Sequence, residues 1–416
     1  GVVKVQVNPN LLHHLSDNAD GSKTFFIPTK EGEAFKARMQ MWSMYKSRKE
    51  SVSFDATVDG VSSEVKRAMD MWQAASVKER GAMVRNAKAV LLREHNVGTL
   101  MTENGKLEST RDGEFGLKDR EGRGVDSLGL GLAAAQKISD KWKSSCPQSA
   151  SCEGVCLGDT AGGNMQYGGV ASADSGFNER SAFRSGPRLS QFLKTEAMVM
   201  HPFEFAIKMQ HEIESLTRWD AKQNRTSRTD KAGNVTKYSV NGYSSAIRLN
   251  VTSDIPPKVW KALMDANPDV TFYDYTKLNG NPIAPNHHLT YSSTGASQVV
   301  NGEKVVNEHQ NWEKMRERLD NGFNVAMAFS HSNFLPEFVK DEESGKTYRV
   351  WNGDNYDARY LDPKSDDGVG MIVGLKNKDA TLHAKLFCED FMFSMNKGLG
   401  IVGIFLLGLT FYTKQT

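Results

Sequence analysis

Three of the chain's four cysteines fall in one stretch, Cys146-Pro-Gln-Ser-Ala-Ser-Cys152-Glu-Gly-Val-Cys156, and only Cys388 lies elsewhere. Three soft thiolate donors so close in sequence can converge on one point, which suits an iron–sulfur cluster or a zinc ion. A cubane held by three thiolates leaves one iron open to a substrate or cofactor. Structural zinc takes four protein ligands, so zinc here needs a distant fourth donor, and His201 is the next candidate along the chain. The C-x5-C-x3-C spacing is that of no familiar zinc knuckle, and an odd trio fits poorly with simple disulfide pairing. Iron–sulfur ligation, zinc completed from afar and ordinary thiols are the readings open for this stretch.

The rest of the composition narrows the setting. A chain of 416 residues, 39% hydrophobic and 25% charged, is long enough for two domains or one large α/β domain with an added element. A net charge of +2 does not by itself point to nucleic acid. Four cysteines in this length are too few for a secreted disulfide scaffold, and polar sequence rather than an apolar leader follows Gly1-Val-Val-Lys-Val, so a cytoplasmic setting is expected. The uncharged run Leu399–Tyr412 falls short of the about 20 apolar residues that a spanning helix needs. It is expected to be a buried terminal element, with docking to a partner or membrane as the other reading.

The elements that must position the cysteines come in two styles. Apolar spacings of three and four predict helices over Phe35–Arg48, Ser62–Ala74 and Val77–His95, with Ser76 and Glu79 as a capping box. Thr102–Gly124 is charged and glycine-rich and reads as a connector. A glycine-rich stretch after the cysteines, Gly158–Gly163 and then Gly168, lacks the order of a phosphate-binding loop and reads as a loop wrapping the cysteine site. Pro187–Leu216 is helical again, and 222–237 is a basic loop carrying Arg225, Arg228, Lys231 and Lys237 that could meet nucleic acid. Beyond it, short β-branched and aromatic runs recur at Ala246–Val251, Val270–Tyr275, His288–Ser292, Val325–Phe329, Tyr348–Trp351 and Met371–Leu375. Helices over Pro257–Ala266 and Asn311–Asn321 separate some of them. The pattern predicts an α/β fold: a parallel-stranded (β/α) barrel-like or open-barrel domain with a helical N-terminal region. The expected division is 1–130 helical region and linker, 131–385 cysteine-containing domain, and 386–416 apolar tail.

In parallel sheets working groups gather beyond the carboxyl ends of the strands. That rule selects Asn250, Thr252, Ser253 and Asp254 after the first run, Asp274, Thr276 and Lys277 after the second, and Ser292 and Ser293 after the third. Ser330 and His331 follow the fourth, Asn352 and Asp354 the fifth, and Lys376 the sixth. Lysines, carboxylates and hydroxyls around one mouth suit a polar or anionic small molecule or nucleotide. The expected binding residues are Asn250, Ser253, Asp254, Asp274, Lys277, Ser292, Asp354 and Lys376, with Cys146, Cys152 and Cys156 as metal ligands. The pair His287-His288 is not the His-x-His of metal-dependent nucleases, because adjacent residues of a strand face opposite sides.

Taken together, Ser-Cys146-Pro-x4-Cys152-x3-Cys156, Arg248-Leu-Asn-Val-Thr-Ser-Asp254-Ile, Phe272-Tyr-Asp-Tyr-Thr-Lys277 and Asn286-His-His-Leu-Thr-Tyr-Ser292 resemble the phage gene product 88 family. So do Asn352-Gly-Asp354, Asp357-x-Arg359-x-x-Asp362-Pro and Ile372-Val-Gly-Leu-Lys376, and the resemblance runs from about Lys141 to Lys378. The cysteine-first, barrel-after layout is similar to that of radical S-adenosylmethionine enzymes, although their usual spacing is C-x3-C-x2-C. That likeness implies an iron–sulfur cluster on the three cysteines and S-adenosylmethionine with substrate at the barrel mouth, in the cytoplasm of a phage's host cell. The readings from other classes are a non-catalytic, metal-stabilised module that binds nucleic acid, and a virion-associated protein whose apolar tail docks to a partner.

Overall fold

The computed structural model describes residues 13–17, 23–26 and 56–376, except 104–106, 108–116, 120, 135–137, 140, 143, 148–185, 223–226, 230–234, 238–241, 279, 294–296, 301–302, 307–310, 330–333 and 342. Cys152 and Cys156, the glycine-rich loop, the helix expected over Phe35–Arg48, Ser330 and His331, and the apolar tail lie outside the described residues.

A two-stranded hairpin, β1 (His13–Asp17) and β2 (Lys23–Phe26), precedes two helices, α1 (Val58–Ala74) and α2 (Val77–His95). Both helices begin where the sequence supplies a cap. The Thr57 side chain accepts from the Gly60 N–H at 2.8 Å, and Ser76 with Glu79 forms the expected capping box. Strands β3 (Met101–Thr102) and β4 (Gly124–Leu130) follow, then α3 (Gly186–Met200) and α4 (Pro202–Asp220), divided at His201 just before a proline that suits a helix start. The basic stretch carries a small hairpin, β5 (Ser227–Thr229) with β6 (Val235–Lys237), where an open loop was expected. Then come β7 (Tyr243–Arg248), a 3₁₀ turn over Pro257–Trp260 leading into α5 (Lys261–Ala266), β8 (Thr271–Thr276) and β9 (His287–Ser292). The hairpin β10 (Ser297–Val300) and β11 (Glu303–Val306), helix α6 (Trp312–Asp320), β12 (Val325–Phe329), β13 (Phe338–Lys340), β14 (Thr347–Asn352) and β15 (Ile372–Lys376) complete the order.

Nine strands make the main sheet, in the order β13-β14-β15-β12-β9-β8-β7-β4-β3. From β14 to β4 every neighbouring pair is parallel, and only the edge strands β13 and β3 run antiparallel. The α/β class and the parallel pairing therefore stand, but the barrel does not close. Each edge is occupied by a short antiparallel strand, so β4 and β14 have no free side on which to pair with each other. Strands β3 and β4 come from the stretch read as helices and linker. Gly124-Val-Asp-Ser-Leu-Gly-Leu130 carries too few β-branched residues to announce a strand, and pairing with β7 along its length fixes it.

Helices α1 to α5 lie on one face, where Trp72, Leu91, Phe192, Phe205 and Trp260 meet Leu130, Ile247 and Phe272 of the strands. Helix α6 covers the same face further along, through Met315 and Leu319 against Val325, Met327, Phe329 and Ile372. The other face carries Leu107, a helical residue packed with Ala246 and Tyr273. It is filled by the chain between β14 and β15: Tyr356 and Ala358 pack on Val125 of β4, with Trp351 of β14 against the same cluster. The second strand from each edge thus touches one internal segment, so the sheet rolls around residues 353–362 instead of hydrogen-bonding shut.

Gly353 starts that inward path. A Cβ there would stand 2.5 Å from Val373 Cγ1 and 2.9 Å from Arg359 Nη1. Gly353→Ala is expected to destabilise the chain by about 1–3 kcal/mol, as overpacking does, read as a lower midpoint in urea unfolding. An unchanged midpoint would mean that the segment is not held against β15.

Candidate functional site

The carboxyl end of the sheet is built by strand-end residues bonded to one another. Both side-chain groups of Asn250 bridge the turn after β7: its Oδ1 accepts from Ser253 Oγ and the Ile255 N–H, each at 2.9 Å, and its Nδ2 donates to Ile255 O at 3.2 Å. Asp274 of β8 accepts from the Asn250 N–H at 2.6 Å and from Asn250 Nδ2 at 3.1 Å. Asp254 accepts from Thr276 Oγ1 and from the Lys277 N–H, both at 2.9 Å. These buried carboxylates thus tie β7 to β8 at the rim. Burial pushes the Asp274 carboxyl up from 3.8 to about 8, against the two donors of Asn250, and raises Asp254 too, against the charge of Lys277.

The first cysteine joins this rim. Ser145 O accepts from the Asp254 N–H at 2.9 Å, Cys146 Sγ lies 3.9 Å from Thr252 O, and Thr252 Oγ1 donates to Leu132 O. Cys146 is partly exposed. Among the expected site residues, Asn250, Ser253, Asp254, Asp274 and Lys277 therefore cluster with Cys146 at the ends of β4, β7 and β8. Ser292 ends the adjacent β9. Asp354 and Lys376 form a second group, in which Asp354, in the turn after β14, accepts from the Lys376 N–H of β15 at 3.0 Å. Strands β9 and β12 separate the two groups. Among the described residues no three His, Cys, Asp or Glu side chains are placed to hold a metal ion. His201, the distant zinc candidate, sits at the α3–α4 junction with its ring edge-on to His95, 5.1 Å between centroids.

The histidine pair behaves as alternation requires. His287 is buried toward the helices, its Nδ1 3.3 Å from the Ile283 N–H, and burial brings its pKa down to about 4. His288 faces the other way, with its ring centroid 5.5 Å from that of Tyr360. Asn286 donates to Met264 O, Asn267 O and Val270 O and so anchors β9 to the end of α5.

Sequence reasoning missed the network below the rim. Arg248, the last residue of β7, donates through Nη1 to both oxygens of Asp357 at 3.0 Å. The Tyr273 hydroxyl bonds to Ser127 Oγ at 2.8 Å and donates to Asp357 at 3.3 Å. The Arg248 guanidinium lies 4.9 Å from the Tyr275 ring centroid. Arg359 Nη1 pairs with Asp362 at 3.3 Å, both side chains being almost wholly buried. The motif Asp357-x-Arg359-x-x-Asp362 was the available signal: opposite charges interleaved with Tyr356, Tyr360 and Leu361 suit a segment that is buried and self-neutralised.

Two outcomes test this arrangement. Asp357→Ala leaves a nearly buried guanidinium unpaired and is expected to cost about 3–5 kcal/mol, whereas the pair Arg248→Met with Asp357→Leu costs far less than the two single changes summed. Strict additivity in denaturant unfolding would remove the coupling. For Asp274, the folded carboxyl is protonated up to about pH 8 while the unfolded one ionises from 3.8. Its contribution is therefore whole below pH 3.8 and lost as the pH rises toward 8. Asp274→Asn is expected to flatten stability across that window, and an unchanged pH profile would overturn the assignment.

The family described as gene product 88 matches residues 99–390, more than two-thirds of the 416-residue chain, and that span takes in β3, β4, the rim and the internal segment. It reaches further at both ends than the motifs alone, and leaves α1 and α2 outside. No curated protein and no solved structure matches the chain. The chain belongs to the phage gene product 88 family.

Proposed function

We propose that this phage protein is an iron–sulfur enzyme of the host cytoplasm, whose cluster is held by Cys146, Cys152 and Cys156 and whose substrate binds at the carboxyl ends of β7, β8 and β9. The observation that carries the reading is the place of Cys146, which is partly exposed and fastened beside Thr252 and Asp254 on the rim. The donor set fits the group: three thiolates within one short stretch, beginning at the end of a parallel sheet where ligands of such folds bind. Bound there, a three-thiolate cluster supplies one-electron chemistry and an open iron for a cofactor such as S-adenosylmethionine.

The protein's own residues would do the rest. Asn250 and Asp274 brace the rim, and Asp254 fixes the backbone of Lys277, so that the ammonium is carried on a rigid turn. Ser292 adds a hydroxyl from β9. Lys277 and this hydroxyl suit a polar or anionic substrate such as a nucleotide.

Protein purified without air is expected to be brown, with iron and acid-labile sulfide in matching amounts, and Cys146→Ser, Cys152→Ser and Cys156→Ser are each expected to lose both. Colourless, iron-free protein after anaerobic reconstitution removes the cluster reading. Zinc retained in its place would leave a metal-stabilised module that is not redox-active.

A further inference from the structure

We propose that Lys194 of α3 holds a phosphate or carboxylate group of the ligand that binds beside the end of β4, at the carboxyl end of the sheet. Lys194 is only 6% exposed, and among the described residues it makes no hydrogen bond or ion pair. The carboxylate that acts on it is Glu212 of α4. That carboxylate is already shared. It pairs with the buried Lys208 and accepts from the N–H groups of Leu100 at 3.1 Å and Met101 at 2.9 Å. Two buried ammonium groups thus face one carboxylate, and burial lowers the pKa of Lys194 in spite of it. A buried cation without a full counter-charge is costly, and an anion seated beside it removes that cost.

The position of Lys194 connects it with the rim. Thr195, next in sequence, accepts through Oγ1 from the Ala133 N–H at 2.9 Å. Gln191, one helical turn back, lies against Gly131, where a Cβ would stand 3.7 Å from its Nε2. Residues 131–133 follow β4 directly, and their carbonyls receive Thr252 Oγ1 and Ser145 Oγ, the groups that seat Cys146. On the other side, Glu212 holds Leu100 and Met101 where β3 pairs with Leu130, the last residue of β4. Lys194 is bracketed by these two sets of contacts.

The surroundings suit an anion arriving from outside. The Lys194 Nζ is not among the sealed polar atoms, so its charge still meets solvent although its stem is buried. Beside it, the Gln191 amide has a buried oxygen without a partner. Turned over, that amide presents N–H donors to the same anion. An ammonium with an amide at its side is a point charge plus a neutral donor, the chemistry that holds one phosphate or carboxylate group.

This inference deepens the proposed binding site at the strand ends and rests on none of the cysteines. The test is calorimetric titration and thermal unfolding of the full chain, in iron-loaded and iron-free form, with inorganic phosphate, with acetate, and with chloride at matched ionic strength. Phosphate or acetate is expected to raise the melting temperature beyond chloride, and the stronger of the two tells which group the site takes. Lys194→Met is expected to weaken that binding at least about tenfold, the loss of a charged hydrogen bond. It should also leave the ligand-free melting temperature unchanged or higher, because it removes a charge that lacks its own partner. Lys194→Arg keeps the charge and is expected to keep part of the binding. Absence of protection beyond chloride in both forms of the unmutated chain overturns the inference, as does binding that survives in Lys194→Met. A lower ligand-free melting temperature in Lys194→Met overturns it too, since the ammonium would then serve the fold through Glu212. Anion binding by protein that holds no iron after anaerobic reconstitution would sink the cluster reading alone, and iron-loaded protein that binds neither anion would sink this inference alone.

Discussion

The contact between Arg248 and Asp357 joins the last residue of β7 to a segment more than a hundred residues later, inside the rolled sheet. Without it the segment between β14 and β15 would have no electrostatic reason to enter an apolar interior. With it, Asp357 also receives the Tyr273 hydroxyl, and through Tyr273 the network reaches Ser127 on β4. One carboxylate thus ties together three parallel strands and the piece of chain around which they curl. A buried pair of this sort is weak as a source of net stability, because taking both charges from water offsets most of their attraction. Its effect is on specificity: any arrangement that separates the partners leaves a charge stranded.

The rim works by a different kind of economy. Residues that resemble substrate ligands in sequence, Asn250 and Asp274 above all, give their hydrogen-bonding capacity to the backbone and to each other. They hold the turn after β7, and that turn in turn seats Ser145 and Cys146. The raised pKa of Asp274 and Asp254 follows from the same burial, and so accompanies a bracing role as readily as a catalytic one.

Openness of the sheet is the main departure from the expected architecture. Sequential parallel order from β4 to β12 is the order a closed barrel would need, but β15 enters before β14 and antiparallel strands finish both edges. Rolling about residues 353–362 then covers the inner side chains that barrel closure would otherwise have covered. Among the described residues no helix is long and apolar enough to cross a membrane.

What could be read from residues alone was whatever local chemistry dictates. Helices α1 and α2 announced themselves by apolar spacing, α2 also by its capping box at Ser76, and β8, β9, β12 and β15 by runs of β-branched and aromatic side chains bounded by turns. The placement of Asp254 and Lys277 at one end of the sheet followed from the rule that parallel strands share a carboxyl end. Strand β4 was hidden because Gly124, Gly129 and the polar pair Asp126-Ser127 dilute its pattern, and it is a strand only because β7 pairs along its whole length. The partition of Asn250 and Asp274 into bracing, the separation of Asp354 and Lys376 from the other rim residues, and the pairing of Arg248 with Asp357 were decided by tertiary structure. Each is a contact across many residues of sequence, and spacing along a chain carries no information on which distant charge will meet which until the sheet has rolled and excluded water from between them.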